Sequence, residues 1–169
     1  MARGMVGQRN VLLFVIFGLS ICTFGEAAQS QLGAEYSRWL NEDVRWIVTD
    51  QERTDFLMLE NGNARDGFIR EFWERRNPTP GAGHNSFKEE HYRRLAFANE
   101  HFAARSPGWK TDRRHVYIVY GPPDAITPHA GSGTTVPSET WYYRRLADNT
   151  QASFKFVDAC RCGEYKLKK

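Results

Sequence analysis

The side chains able to do chemistry concentrate in two stretches, Glu89-Glu90-His91-Tyr92-Arg93-Arg94 and Trp109-Lys110-Thr111-Asp112-Arg113-Arg114. Asp112 with Glu89 or Glu90 offers a carboxylate pair and neighbouring arginines, the equipment of a hydrolase acting on a polymer. Nothing in the sequence sets two carboxylates at the ~5 or ~9 Å that glycoside hydrolysis requires. His84, His91 and His101 with Glu90 offer metal ligands. His91 and His101 are ten residues apart, which on a helix leaves them about 80° out of line, and no His-Glu-x-x-His arrangement exists. There is also no Gly-x-Ser-x-Gly elbow, P-loop or dinucleotide fingerprint. No catalytic residue, cofactor or metal is therefore expected.

Trp109, Thr111 and Asp112 suit a ligand-binding turn, and equally a structural one in which Thr111 or Asp112 caps backbone amides while Trp109 plugs the core. The structural role is favoured. Four arginine pairs recur, Arg75-Arg76, Arg93-Arg94, Arg113-Arg114 and Arg144-Arg145. With Glu71, Glu89, Glu90 and Asp112 they suit an internal ion-pair network, and alternatively an anion site, because guanidinium forks bind carboxylate or phosphate bidentately. The junction of Glu89, Arg93, Trp109, Thr111, Asp112 and Arg113 is the candidate site for a ligand or partner. Cys160-Arg161-Cys162 leaves three readings open: inert thiols, a tight local or intermolecular disulfide, or metal ligation, the last lacking an adjacent second pair of ligands.

These groups need elements to position them. Leu32, Tyr36, Trp39 and Leu40 recur at helical spacing, and Thr49-Asp50-Gln51-Glu52 is a capping box before Phe56, Leu57 and Leu59. Asn63 is read as the cap of a third helix, carrying Phe68, Ile69, Phe72 and Trp73 and stopped by Asn77-Pro78. Ser86-Phe87-Lys88-Glu89 caps a fourth, ended by Pro107-Gly108. The period then changes to alternation, so Val116 to Tyr120 reads as a central strand closed by Pro122-Pro123. Further strands are expected over 140–145, 153–157 and 164–167. The predicted fold class is α+β, three or four N-terminal helices packed on a C-terminal antiparallel meander of three or four strands. Aromatic residues are 14% of the chain, a share that in a small domain mostly fills the core.

Arg3 and Arg9 precede an apolar run over 11–24 and the small residues Gly25 and Ala27, the pattern of a secretory signal peptide cleaved after Ala27. A lipoprotein anchored at Cys22 is a weaker alternative, because Ile21 sits where a small residue is wanted. Removing residues 1–27 takes Arg3, Arg9 and Glu26 from the 23 basic and 20 acidic side chains, leaving +2. A balance so near zero argues against nucleic acid as a partner. Residues 28–169 suit a single domain with no transmembrane span.

The run Phe72-Trp73-Glu74-Arg75-Arg76-Asn77-Pro78, then Glu89-Glu90-His91-Tyr92-Arg93-Arg94, Gly108-Trp109-Lys110-Thr111-Asp112, Tyr117-Ile118-Val119-Tyr120-Gly121-Pro122-Pro123-Asp124 and Trp141-Tyr142-Tyr143 resembles the GWxTD domain family over about residues 35–160. The resemblance implies a bacterial, exported or envelope-associated protein and brings no reaction with it. Asn77 stands where the family has an acid, and Arg114 where glycine is common. The Tyr-Gly-Pro-Pro turn and following strands are also similar to those of small lipoproteins that assist outer-membrane protein assembly, a likeness of architecture alone. Periplasmic or extracellular export and a non-catalytic binding or assembly role are expected, with an envelope protein or an anionic ligand as partner. The alternative is a carboxylate- or metal-dependent hydrolase of an envelope polymer.

Overall fold

Capping side chains set where four of the five described α-helices start. The computed structural model describes residues 32–103 and 110–168; the expected signal peptide with Cys22, and Gly108 and Trp109, lie outside the described residues. Helix α1, Ala34–Arg38, runs into a π-helical turn, Trp39–Asp43, that buries Trp39 and Leu40. Helix α2, Asp50–Leu57, opens on the expected capping box, with Glu52 N–H donating to Thr49 Oγ1 at 3.1 Å and Thr49 N–H to Glu52 Oε2 at 3.0 Å.

The next two caps differ from expectation. Helix α3, Gly62–Glu74, is capped by Asn61, which accepts from Ala64 N–H, and Asn63 lies inside the first turn. Helix α4, Ser86–His101, is capped by Asn85, which accepts from Lys88 N–H at 2.9 Å. In both cases an asparagine upstream reaches the third-residue amide, and asparagine is among the best cap residues. At Asn77 the amide oxygen accepts from Thr79 N–H at 3.1 Å, so an uncharged acceptor serves this turn.

The largest correction is at 116–120. Asp112–Tyr120 is a helix, α5, with Thr111 as its cap accepting from Arg114 N–H and with Gly121 ending it at φ 83°. The apolar run looks like a strand because α5 is covered on two sides. Ile118 faces α4, while Val116 and Tyr117 pack with Trp141 of the sheet. A short, continuous apolar run gives no period to separate helix from strand, and tertiary packing overrides the β propensity of Val and Ile.

The sheet is an antiparallel meander in the order β1-β2-β3-β4, comprising Ala125–His129, Ser138–Tyr143, Ala152–Val157 and Lys166–Leu167. Trp141 pairs with Ile126 and Phe154, and Phe156 with Leu167, so the period of two sends Trp141, Phe154, Phe156 and Leu167 to the face that meets the helices, while Ile126 on the edge strand stays exposed. Strand β1 takes the place of the expected strand over 116–120; it is an exposed edge, and Pro128 there spares an interior strand the loss of a donor.

Two cores form. Trp39, Leu40, Val44, Phe56, Phe72 and Trp73 unite α1, α2 and α3. Ala98, Phe102, Val116, Trp141, Tyr143 and Phe156 unite α4, α5 and the sheet. Helix α4 belongs to both, since Tyr92 near its start packs against the first and Phe102 after its end packs in the second. Each fully buried ring contributes roughly 1.5–3 kcal/mol, so α4 is the beam joining two separately stabilised halves. No described helix is long and apolar enough to cross a membrane.

Candidate functional site

Helix α5 runs back along α4, and this register decides which predicted residues meet. Arg114 near the start of α5 donates to Asn99 near the end of α4 at 2.8 Å, and Arg94 in mid-α4 donates to the Ile118 carbonyl near the end of α5 at 3.0 Å. Glu89 lies ten residues before Asn99, about 15 Å along the axis. Glu89 is exposed in the first turn of α4, and Arg93, exposed too, pairs with Glu90. The structure therefore brings Thr111, Asp112 and Arg113 together and leaves Glu89 and Arg93 apart from them. The expected convergence required a strand leaving the motif; a helix folded antiparallel to α4 separates the two stretches instead.

At the motif itself the side chains turn inward. Thr111 is buried as the cap. Asp112 accepts from Leu167 N–H at 2.8 Å and pins β4 to the helix start. Arg113 lies over the Phe102 and Tyr165 rings, donates to the Gly163 carbonyl at 3.3 Å and approaches Glu139 at 3.6 Å. Arg114 is only 1% exposed; besides Asn99 it reaches the Glu42 carbonyl at 3.3 Å. Burial holds its pKa down to about 10, partly offset by Asp43 and Glu42, so it stays charged at neutral pH. Its guanidinium ties α4, α5 and the turn after α1 together.

The later motifs are explained by the same geometry. Gly121 adopts φ 83°, a backbone that L side chains rarely take, and a Cβ there would sit 3.0 Å from Arg94 Nη2. Its carbonyl accepts from Tyr143 Oη at 2.9 Å. Asp124 accepts from Arg144 N–H at 2.7 Å and donates its own N–H to the Tyr142 carbonyl. Tyr-Gly-Pro-Pro-Asp and Trp-Tyr-Tyr are thus two sides of one joint between α5 and the sheet.

Of the acids expected to hold the arginine pairs, Glu90 takes Arg93 and Arg94 and Glu71 lies 3.9 Å from Arg75, whereas sequence spacing does not single out the others. Glu52 takes Arg75 and Arg76 at 3.1 and 2.7 Å, Glu139 takes Arg113, and Asp124 takes Arg144. Most of these partners are far apart in sequence, so no local pattern marks them. Arginines also satisfy leftover carbonyls, Arg53 at Leu40 and Arg76 at Phe72 near helix ends and Arg76 again at Ile47 in the turn before α2.

Of the histidines read as ligands, His91 is buried and its Nε2 lies 2.7 Å from the Asp43 carbonyl. Burial first, opposed by that bond and reinforced by Arg114, Arg94 and Arg76, lowers its pKa to about 4. It is a neutral structural donor beside a hollow of about 200 Å³ lined by Trp46, Ile47, Phe87 and Ile118. A wider groove of about 800 Å³ lies among α1, α3 and α4, with Trp39, Trp73 and Tyr92 beneath and Arg38, Arg70, Lys88, Asp43 and Asp66 around it.

Cys160 and Cys162 are joined in a disulfide, the tight local pairing among the three readings. Asp158, two residues upstream, supplies a nearby ligand that the bare Cys-x-Cys pattern lacks: one carboxylate oxygen and the two sulfurs lie within 4.8 Å of one another. This is the only such group of three among the described residues.

Neither curated proteins nor solved structures give a match to the chain. The family model of the GWxTD domain matches residues 33–169, a span that holds both cores, the α4–α5 pair and the whole meander, and the chain therefore belongs to the GWxTD domain family.

Proposed function

We propose that the chain is an exported, non-catalytic binding or assembly module of the cell envelope. Its main support is the motif, whose polar groups are spent inside the fold: Thr111 on a cap, Asp112 on the Leu167 amide, Arg113 on Glu139 and a carbonyl, Arg114 on Asn99 and another carbonyl. A general acid or base must reach the proton it moves. Asp112 instead faces a backbone amide, and Glu89 stands well away from it along α4. Export is supported by the basic, apolar and small-residue order of residues 3–27.

The groove among α1, α3 and α4 is the surface we assign to a partner. Arg38, Arg70 and Lys88 make no ion pair among the described residues and stand beside the carboxylates of Asp43 and Asp66. A rim of both signs over an apolar floor suits a protein segment of mixed charge.

The purified chain beginning at Ala28, offered a panel of glycan, peptide and ester substrates, is expected to turn over none. Turnover abolished by Asp112→Asn at unchanged melting temperature would reverse the non-catalytic assignment. N-terminal sequencing of protein recovered from an envelope fraction is expected to begin at Ala28; an intact Met1 would remove the export assignment.

A further inference from the structure

We propose that the loop Asp158-Ala159-Cys160-Arg161-Cys162-Gly163 is a redox-gated zinc site, closed as the disulfide and formed when the two cysteines are reduced. The ligand atoms lie within 4.8 Å of one another with the two sulfurs still bonded, so one ion can span them once reduction lets the sulfurs part. Asp158 is buried, and Cys162 N–H at 3.0 Å and Gly163 N–H at 2.8 Å orient its carboxylate, the kind of outer-shell bonding that fixes a metal ligand. Each carboxylate oxygen keeps a lone pair beyond the one it gives to an amide.

The loop around the ligands is fixed at several points. Asp158 N–H donates to the Pro137 carbonyl, and Arg161 and Gly163 both turn through positive φ. The Arg161 guanidinium is held on the Gly133 and Thr135 carbonyls at 2.6 and 3.3 Å. That bond keeps the one cation between the cysteines occupied elsewhere. Two thiolates and a carboxylate carry three negative charges together, which a divalent ion neutralises in part. Two sulfurs and one oxygen suit zinc over magnesium or calcium, with water as a fourth ligand.

The gate is ordinary thiol–disulfide exchange. A thiolate of an external dithiol attacks Sγ of Cys160, the more exposed of the two, and the Cys162 sulfur leaves with the bonding electrons and takes a proton. The second thiolate of the reagent then attacks its own sulfur in the mixed disulfide and releases Cys160. The reagent ends as a disulfide and the protein as two thiols, a two-electron exchange. Zinc binding then displaces both thiol protons.

The test uses the chain beginning at Ala28, reduced with a dithiol that is removed under anaerobic conditions, and titrated with Co²⁺ as a spectroscopic stand-in followed by Zn²⁺. One equivalent of cobalt with a thiolate-to-metal charge-transfer band, displaced by zinc and absent from the oxidised chain, is expected. Cys160→Ser and Cys162→Ser should each abolish the band, and Asp158→Asn should weaken binding by at least about tenfold. Because Asp158 is buried, that variant counts only if its circular dichroism matches the parent; the serine variants decide alone if it does not. Absence of the band in the reduced chain, its persistence in either serine variant, equal binding by the oxidised chain, or a disulfide that excess dithiol leaves intact in the folded chain would each overturn the proposal.

Discussion

Arg114 donates to Asn99 Oδ1 at 2.8 Å from a position only 1% exposed, so a half-buried charge-assisted bond sets the register of the motif helix on the helix before it. The same guanidinium reaches the Glu42 carbonyl, which ends the π-helical turn of the other core. One side chain thus ties three segments. Arg114→Ala would strand that carbonyl and Asn99 and open a cavity, and a loss of about 3 kcal/mol in urea unfolding is expected. A loss below about 1 kcal/mol would show that the tie is ornamental.

Glu52 concentrates the same logic in the first core. It closes the capping box on Thr49 and receives both Arg75 and Arg76. Burial raises its pKa, but the bonds from Arg76, Thr49 and Arg75 outweigh this and hold it at about 2, against 4.5 for a free side chain. A carboxylate with a depressed folded pKa stabilises above its unfolded value, and that contribution fades as pH falls from about 4.5 toward 2. Glu52→Gln should cost about 2 kcal/mol at neutral pH and make unfolding less sensitive to acid over that window, as read from melting temperature against pH.

How much of this could be read from residue order depends on how local each interaction is. Thr49 and Glu52 are three apart and announce their box; Phe72, Trp73, Trp141 and Phe156 announce a core by type. The helix over 112–120 carries its own bracket, Thr111 before it and Gly121 after it, yet the consecutive Val116 to Tyr120 hides the helical period because both sides are covered. The pairs Arg76–Glu52, Arg114–Glu42 and Asp112–Leu167 join residues 24, 72 and 55 positions apart. No periodicity encodes such distances, so the separation of Glu89 from Asp112 emerges only from the fold.

His91 gives a second acid-sensitivity test, with the same sign as Glu52 but a higher pH window. Its ring is held neutral to about pH 4 by burial, whereas in the unfolded chain it titrates near 6.5. Between these values the unfolded state binds the extra proton, so stability falls as pH drops from about 6.5 to 4. The loss is on the order of 3 kcal/mol. His115, also lowered by burial, adds to that slope, and Asp43, raised by burial, opposes it. His91→Gln keeps a donor for the Asp43 carbonyl and should flatten the fall; an unchanged slope would assign it elsewhere.

Gly121 lies at the joint of α5 and the sheet, at φ 83° and ψ −165°, with Arg94 Nη2 where a Cβ would go. That region of backbone is almost confined to glycine. Gly121→Ala is expected to cost about 2 kcal/mol and, by displacing Arg94, to lower amide exchange protection at the end of α5. Wild-type melting and exchange in the variant would mean that Arg94 moves aside freely.

Asp112 separates a structural motif from a chemical one most directly. Its carboxylate accepts from the Leu167 amide, so its removal frees a two-residue edge strand and not a substrate. Asp112→Ala should destabilise by about 1–2 kcal/mol, with exchange protection lost first at Leu167. Asp112→Asn keeps an acceptor oxygen and should recover most of that stability. A reacting carboxylate would show the reverse ranking, with asparagine as inactive as alanine whatever its melting point. Measuring both variants by unfolding and by any partner-binding assay therefore distinguishes a strand anchor, rescued by an amide oxygen, from a group whose negative charge is what matters.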